Sequence, residues 1–128
     1  MATTRDFIAE LEKQLELERP MRSDADGIWM LAIDEELIVT IADLPPGYSF
    51  HCNVGECPTK NAEDFLTKAM GANLFGQGTF DGILGLNNEG NTLTLAFERE
   101  TKADYKKFQE DFEDFLNAAD YWHEETKK

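Results

Sequence analysis

Tyr105, Phe108, Phe112, Phe115, Ala119 and Trp122 recur at intervals of 3, 4, 3, 4 and 3 residues. That period is a helix's, and a stripe so rich in aromatic rings is too large to leave in water. A chain that ends in such a helix must supply an apolar layer to bury it. The helix is expected to start after Thr101, with Asp104 at its third position, where an acidic side chain can reach back to the unpaired backbone N–H groups.

The segments upstream supply that layer. "ELIVTIAD" alternates, with Leu37, Val39 and Ile41 on one side and Ile38 and Thr40 on the other. "YSFHCNV" sets Tyr48, Phe50, Cys52 and Val54 against Ser49, His51 and Asn53, and "NTLTLAF" sets Leu93, Leu95 and Phe97 against Thr92, Thr94 and Ala96. Period two is a strand's period. "GIWMLAID" is apolar on both sides, and "DGILGL" forms a hairpin with "NTLTLAF" across Asn88-Glu89-Gly90. Asp34-Glu35-Glu36 and Pro45-Pro46-Gly47 supply the turns between the first three strands.

Two further helices complete the chain. The first runs from Thr3 to Glu18, with Phe7, Ile8, Leu11 and Leu15 on one face, Thr3 and Asp6 as an approximate capping box, and Pro20 as its stop. "MRSDADG" reads as a polar connector. The second starts near Asn61, an N-cap with Asp64 three residues on, and carries Phe65, Leu66, Ala69, Met70, Asn73 and Leu74. Gly71 lies inside its pattern, and Gly76 and Gly78 fall beyond it. The order is α-β-β-β-α-β-β-α, with no repeat or linker to divide it, so residues 1–128 read as one α+β domain with an antiparallel sheet packed by helices. If the first and third helices cover one face of that sheet, apolar surface elsewhere must find another partner.

The formal net charge of −14 works against binding nucleic-acid backbones, which needs lysine and arginine. It suits neutral, basic or apolar partners. Apolar runs break within about ten residues, too short to span a bilayer. "MATTRDFIAELEKQ" has no basic segment leading into an apolar one, so an intracellular location is expected. Cys52 and Cys57 read as free thiols in a reducing cytoplasm.

The chemistry-bearing residues assemble into no recognisable reaction centre. Gly76-Gln77-Gly78 follows a helix and precedes a strand, the reverse of a phosphate loop, so it reads as a helix end and strand entry. His51, Cys52, Cys57 and His123 match no zinc spacing and lack an activating context for a nucleophile. The carboxylates of "EDFED" flank Phe112 and read as a solvated helix face. No enzyme, cofactor or metal is expected.

"LTKAMGANLFGQGTFDGILGLNNEGNTLTLAFE" resembles the central motif of class I type III secretion chaperones, the Tir chaperone family. In that family a helix ending in a small-residue, "AN"-containing run enters a glycine turn, then a strand with "LGL", a turn and an alternating strand. The order of elements, the small size and the acidity also fit. The resemblance implies a homodimer without catalytic activity, residing in the bacterial cytoplasm. It implies a dimer interface on the second helix and following strand, here Leu66, Met70, Leu74, Phe75, Ile83 and Leu84. The glycines would then form a corner that presents this surface. The resemblance further implies binding of a segment near the N-terminus of a secreted effector, kept soluble and unfolded for export. The docking patches expected for it involve Phe7, Leu11 and Leu15 of the first helix with Trp29, Leu31, Leu93 and Leu95, residues that could equally be core. Pro45-Pro46 departs from the family pattern by shortening one strand link. A competing expectation is a small-molecule pocket between the sheet and the C-terminal helix.

Overall fold

The structure is a computed structural model that describes residues 3–15, 22–25, 27–32, 37–60, 62–75 and 82–127, with backbone alone at 15, 22–25 and 73–75. Helix α1 spans Thr4–Leu15. The capping box expected from the sequence is present: the Asp6 N–H donates to Thr3 Oγ1 at 3.3 Å, and the Thr3 N–H donates to Asp6 Oδ2 at 2.9 Å. Phe7, Ile8 and Leu11 line the helix's buried face. The expected continuation to Glu18 and the stop at Pro20 lie outside the described residues.

The sheet holds β1 (Arg22–Ala25), β2 (Ile28–Ala32), β3 (Ile38–Leu44), β4 (Gly47–Glu56), β5 (Ile83–Leu86) and β6 (Thr92–Arg99), ordered β1-β2-β3-β4-β6-β5. Every pairing is antiparallel. The expected α-β-β-β-α-β-β-α order holds, with one additional strand inserted between α1 and the first expected strand. That strand, β1, falls in "MRSDADG", which the sequence reading took for a connector. Its residues lack apolar alternation, and its pairing with β2 through Arg22–Met30 and Ser23–Trp29 is a matter of backbone, not of side-chain pattern. The β5–β6 turn falls where expected. There Asn87 Oδ1 accepts from the Asn91 and Thr92 N–H groups, at 3.1 and 3.2 Å, and Gly90 takes a φ of +75° that a β-carbon would resist.

Helix α2 spans Ala62–Phe75 and helix α3 spans Tyr105–Thr126. The proposed caps of α2 at Asn61 and its glycine exit at residues 76–78 lie outside the described residues. At α3 the expected start is three positions early: Asp104 is itself the N-cap and not N3, accepting from the Lys107 N–H at 2.9 Å, and the helix begins at Tyr105.

The stripe on α3 meets the face of the sheet made by Trp29, Leu31, Val39, Ile41, Tyr48, Phe50, Cys52, Val54, Leu93 and Leu95, all buried. Phe50 is its centre, with ring centroids of Phe108, Phe112, Phe115 and Phe97 at 5.6, 5.4, 5.4 and 5.6 Å. Edge-on and tilted ring pairs of this kind add about 0.5–1.5 kcal/mol each beyond simple burial. Helix α1 closes the same layer, its Phe7 lying 5.2 Å from Phe108 and 6.5 Å from Tyr48. The small-molecule pocket expected between sheet and α3 is therefore corrected: rings fill that space.

One polar group sits inside this layer. The Tyr48 hydroxyl donates to Asp111 Oδ2 at 2.6 Å, and Arg99 Nε and Nη2 donate to Oδ2 and Oδ1 at 2.6 and 3.1 Å. Asp111 belongs to the "EDFED" run read as solvated, yet it is buried; helical spacing alone could not reveal an arginine waiting on β6. Burial by itself would raise the Asp111 carboxyl, but the hydrogen bonds from Arg99 and Tyr48 and the charges of Arg99 and Lys107 outweigh it and hold the carboxyl below its usual range. Burial, together with that carboxylate, pushes the Tyr48 phenol up.

Two substitutions test this framework. A β-carbon on Gly47 would lie 1.6 Å from the Arg99 carbonyl oxygen, so Gly47→Ala is expected to cost about 3 kcal/mol or more in urea unfolding, or to abolish folding. Asp111→Asn is expected to cost about 3 kcal/mol at pH 7 by leaving Arg99 without its anion. The native carboxyl titrates below the unfolded value near 4, so its contribution is complete above about pH 4 and fades as pH falls through the native value. The gap between wild type and Asp111→Asn should narrow below about pH 4; a constant gap from pH 7 to pH 3 would contradict the assignment.

Candidate functional site

Because α1 and α3 occupy one face, the alternate residues of the same strands form a second face. Cross-strand register sets them in rows: Met30–Thr40–His51–Ala96–Ile83, flanked by Ile28–Ala42–Ser49–Glu98. Ile38 is 49% exposed and Ile83 66%, and His51 and Glu98 are also exposed. Ile28, Met30, Thr40, Ala42 and Ala96 are half-buried by their neighbours within the sheet. The irregularity between Asn53 and Gly55 moves Gly55 onto the helix side, where a β-carbon would meet Thr126 Oγ1, and leaves Glu56 opposite Thr92 on the open side. The bulge thus lets the end of α3 approach β4 closely.

Helix α2 reaches the edge of this surface. It is fastened to α3 by Phe65 against Trp122, with ring centroids 6.1 Å apart, and by Lys68, whose Nζ lies 3.2 Å from Glu125 and over the rings of Tyr121 and Trp122. Ala69 points inward and is buried, while Met70 on the outward side is 71% exposed. Sheet edge β5 runs beside α2, with Leu84 buried and Ile83 outward.

The residues singled out from the sequence divide accordingly. Met70 and Ile83 are surface side chains, Leu66 is half-buried, and Leu84 is a core residue anchoring β5. The side chains of Leu15, Leu74 and Phe75 lie outside the described residues. Phe7, Leu11, Trp29, Leu31, Leu93 and Leu95 are all in the core, so the docking patches assigned to them are corrected: α1 and α3 already cover those side chains. The surface apolar residues are their sequence neighbours Ile28, Met30, Ile38 and Ala96. The signal for them was the two-sided apolar character of "GIWMLAI", whose larger residues went to the helices.

The remaining candidates do not converge. Cys52 lies in the core and His51 on the opposite face, while His123 is buried with Nδ1 at 2.5 Å from the Val54 carbonyl oxygen. Among the described residues no group of three or more His, Cys, Asp or Glu is placed to hold a metal ion, and no helix is long and apolar enough to cross a membrane. The arrangement leaves a sheet face whose centre is apolar and neutral and that no described helix covers.

Known structures share this architecture. A chain of the ExsC–ExsE complex superposes with a TM-score of 0.76 at 16% identity, covering 96% of this chain and 92% of that one. A chain of the HopA1–SchA chaperone–effector complex gives 0.66 at 16% identity, covering 94% and 93%. A chain of the heterodimeric ExoU–SpcU complex from the type III secretion system of Pseudomonas aeruginosa gives 0.64 at 18% identity, covering 98% and 94%. These likenesses show the fold. No curated protein sequence matches. The model of the Tir chaperone protein family matches residues 6–123, nearly the whole domain, and the chain belongs to that family of class I type III secretion chaperones.

Proposed function

We propose that this chain is a cytoplasmic chaperone of a type III secretion system, acting as a homodimer on a segment near the N-terminus of a secreted effector. The observation that carries this reading is the uncovered sheet face. A chain with a formal charge of −14 leaves Ile28, Met30, Ile38 and Ala96 on one surface whose charged residues stand towards its margins. Contiguous apolar surface of that kind is the mark of a binding face. Family membership supports a protein client, and the neighbouring structures are complexes, one of them a chaperone with its effector.

The chemistry asked of the chain is modest. An aggregation-prone segment has its apolar side chains withdrawn from water against the chaperone, while the acidic exterior keeps the complex dispersed. Binding energy alone does this, without nucleotide. Ordering an extended segment costs entropy, which favours a client spread over a large area rather than gripped at one point.

The dimer seam is assigned to the outward side of α2 and the adjoining edge strand, with Met70 and Ile83 as its exposed anchors and Leu66, Leu74 and Phe75 as further members. Gly71 tests it. Within one protomer a β-carbon there meets nothing within 4 Å, so Gly71→Ala should stabilise a monomer by about 0.5–1 kcal/mol through helix propensity. At a close-packed seam the added methyl should weaken the dimer instead. In sedimentation, wild type is expected as a dimer, Gly71→Ala as a weaker one, and Met70→Asp with Ile83→Asp as a folded monomer. A dimer unaffected by both aspartates would place the seam elsewhere. The chaperone reading itself predicts that an effector captured with the wild-type protein is lost when the effector's N-terminal region is deleted; a client held equally well without that region would contradict it.

A further inference from the structure

The open face has a charge pattern as well as an apolar one. Across the five strands β2, β3, β4, β6 and β5 the central row reads Met30, Thr40, His51, Ala96, Ile83, and none of these is a carboxylate, lysine or arginine. The carboxylates on this face stand towards its two ends: Glu98 beside Ser49, and Glu56 beyond the bulge. On this face Arg22 of β1 stands in register with Met30, at the end of the row far from Glu98, and the centre between them carries no lysine or arginine.

At the Glu98 end the surface becomes concave. A groove of about 610 Å³ has Ile83 and Ala96 in its apolar lining and carries the exposed residues Glu98 and Glu100. Among its described lining residues Arg99 alone is cationic, and its Nε and Nη2 are paired with Asp111 at 2.6 and 3.1 Å. The clamp that fastens β6 to α3 therefore also offsets the groove's positive charge. What remains suits an apolar stem ending in a cation. An acidic residue entering it would meet two carboxylates and the field of a protein carrying fourteen excess negative charges.

Resting on the reading of the chain as an effector-binding chaperone, we propose that this face selects its client by charge. The occupant is an extended client segment with small or branched apolar side chains in its centre and lysine or arginine where it reaches the Glu98–Glu100 groove. Four inter-strand steps of about 4.8 Å make the central row roughly 19 Å long, the span of about six extended residues. The small side chains of Thr40, Ala42, Ser49 and Ala96 leave room for client side chains to seat between the larger Met30 and Ile38. The neutral centre supplies affinity, and the acidic end supplies register and discrimination.

Two fluorescein-labelled peptides test this, each with a six-residue alternating valine–serine centre, one flanked by lysine pairs and the other by glutamate pairs. Anisotropy titration with the full chain at low salt is expected to show the lysine peptide binding about tenfold or more tightly, with the difference shrinking in high salt. Glu98→Lys with Glu100→Lys should reverse the preference. Thr40→Arg, or His51→Arg at an exposed position, should weaken the lysine peptide about tenfold or more without altering sedimentation or circular dichroism. Equal affinity for the two peptides, binding of neither, or indifference to both central arginines would overturn the proposal. So would conversion of a dimer to monomer by the arginines, since the face would then be covered by a second copy. An effector captured through its N-terminal region that still binds Thr40→Arg would leave the chaperone reading standing while removing this face from it.

Discussion

Phe50 sits where five other rings converge, and most of the molecule's asymmetry follows from that contact. Rings from three successive stretches of α3 can reach one strand residue only if the helix lies across the middle of the sheet. With α3 there and α1 beside it, Val39, Ile41, Tyr48, Phe50, Cys52, Val54, Leu93 and Leu95 of the central strands are withdrawn from water. A strand's period of two then leaves the alternate residues with no helix to meet them. Tyr48, two residues from Phe50 on the same side, is tied through Asp111 to Arg99, so the end of β6 is held to the helix by charge as well as by packing. The open face is thus a consequence of how the closed one is built.

That division gives a physical route to chaperone behaviour in a small chain. A domain of 128 residues can bury one good layer of side chains, and here the largest rings went into it. The second layer consists of small and medium side chains on a rigid backbone. Such a surface can accept many extended segments without rearranging, because the sheet's own hydrogen bonds hold it whether or not it is occupied. Acidic residues cover much of the remaining exterior, so apolar contact is confined to the places where a partner is wanted. Met70 of α2 and Ile83 of β5 lie where that surface approaches the protomer's edge, which is the natural position for a seam joining two copies.

Much of the fold was legible in the sequence. The capping box at Thr3 and Asp6, the alternation through β3, β4 and β6, the Asn-rich turn and the stripe on α3 are local signals, and each is realised. What could not be read depended on long-range partners. Strand β1 has no apolar pattern and exists through backbone pairing with β2. Asp111 looked solvated because nothing nearby in sequence announces Arg99 and Tyr48. The side chains expected to dock a client are buried for a related reason. Trp29, Leu31, Leu93 and Leu95 share the register side of Phe50, and the helices cover that side. Their alternate neighbours Ile28, Met30, Ile38 and Ala96 are left on the other side.

Side-chain footprinting with hydroxyl radicals, on the protein alone and bound to its effector, would test this division of surfaces most directly. Met70 and Ile83 should be protected in the free protein through the dimer seam. Met30 and His51 should be modified in the free protein and protected once the effector is bound, while Tyr121 on the outer side of α3 reacts equally in both. Protection of Tyr121 and the outer helix surfaces, with Met30 and His51 reacting unchanged, would show that the client is held on the helical side and that the open sheet face has another purpose.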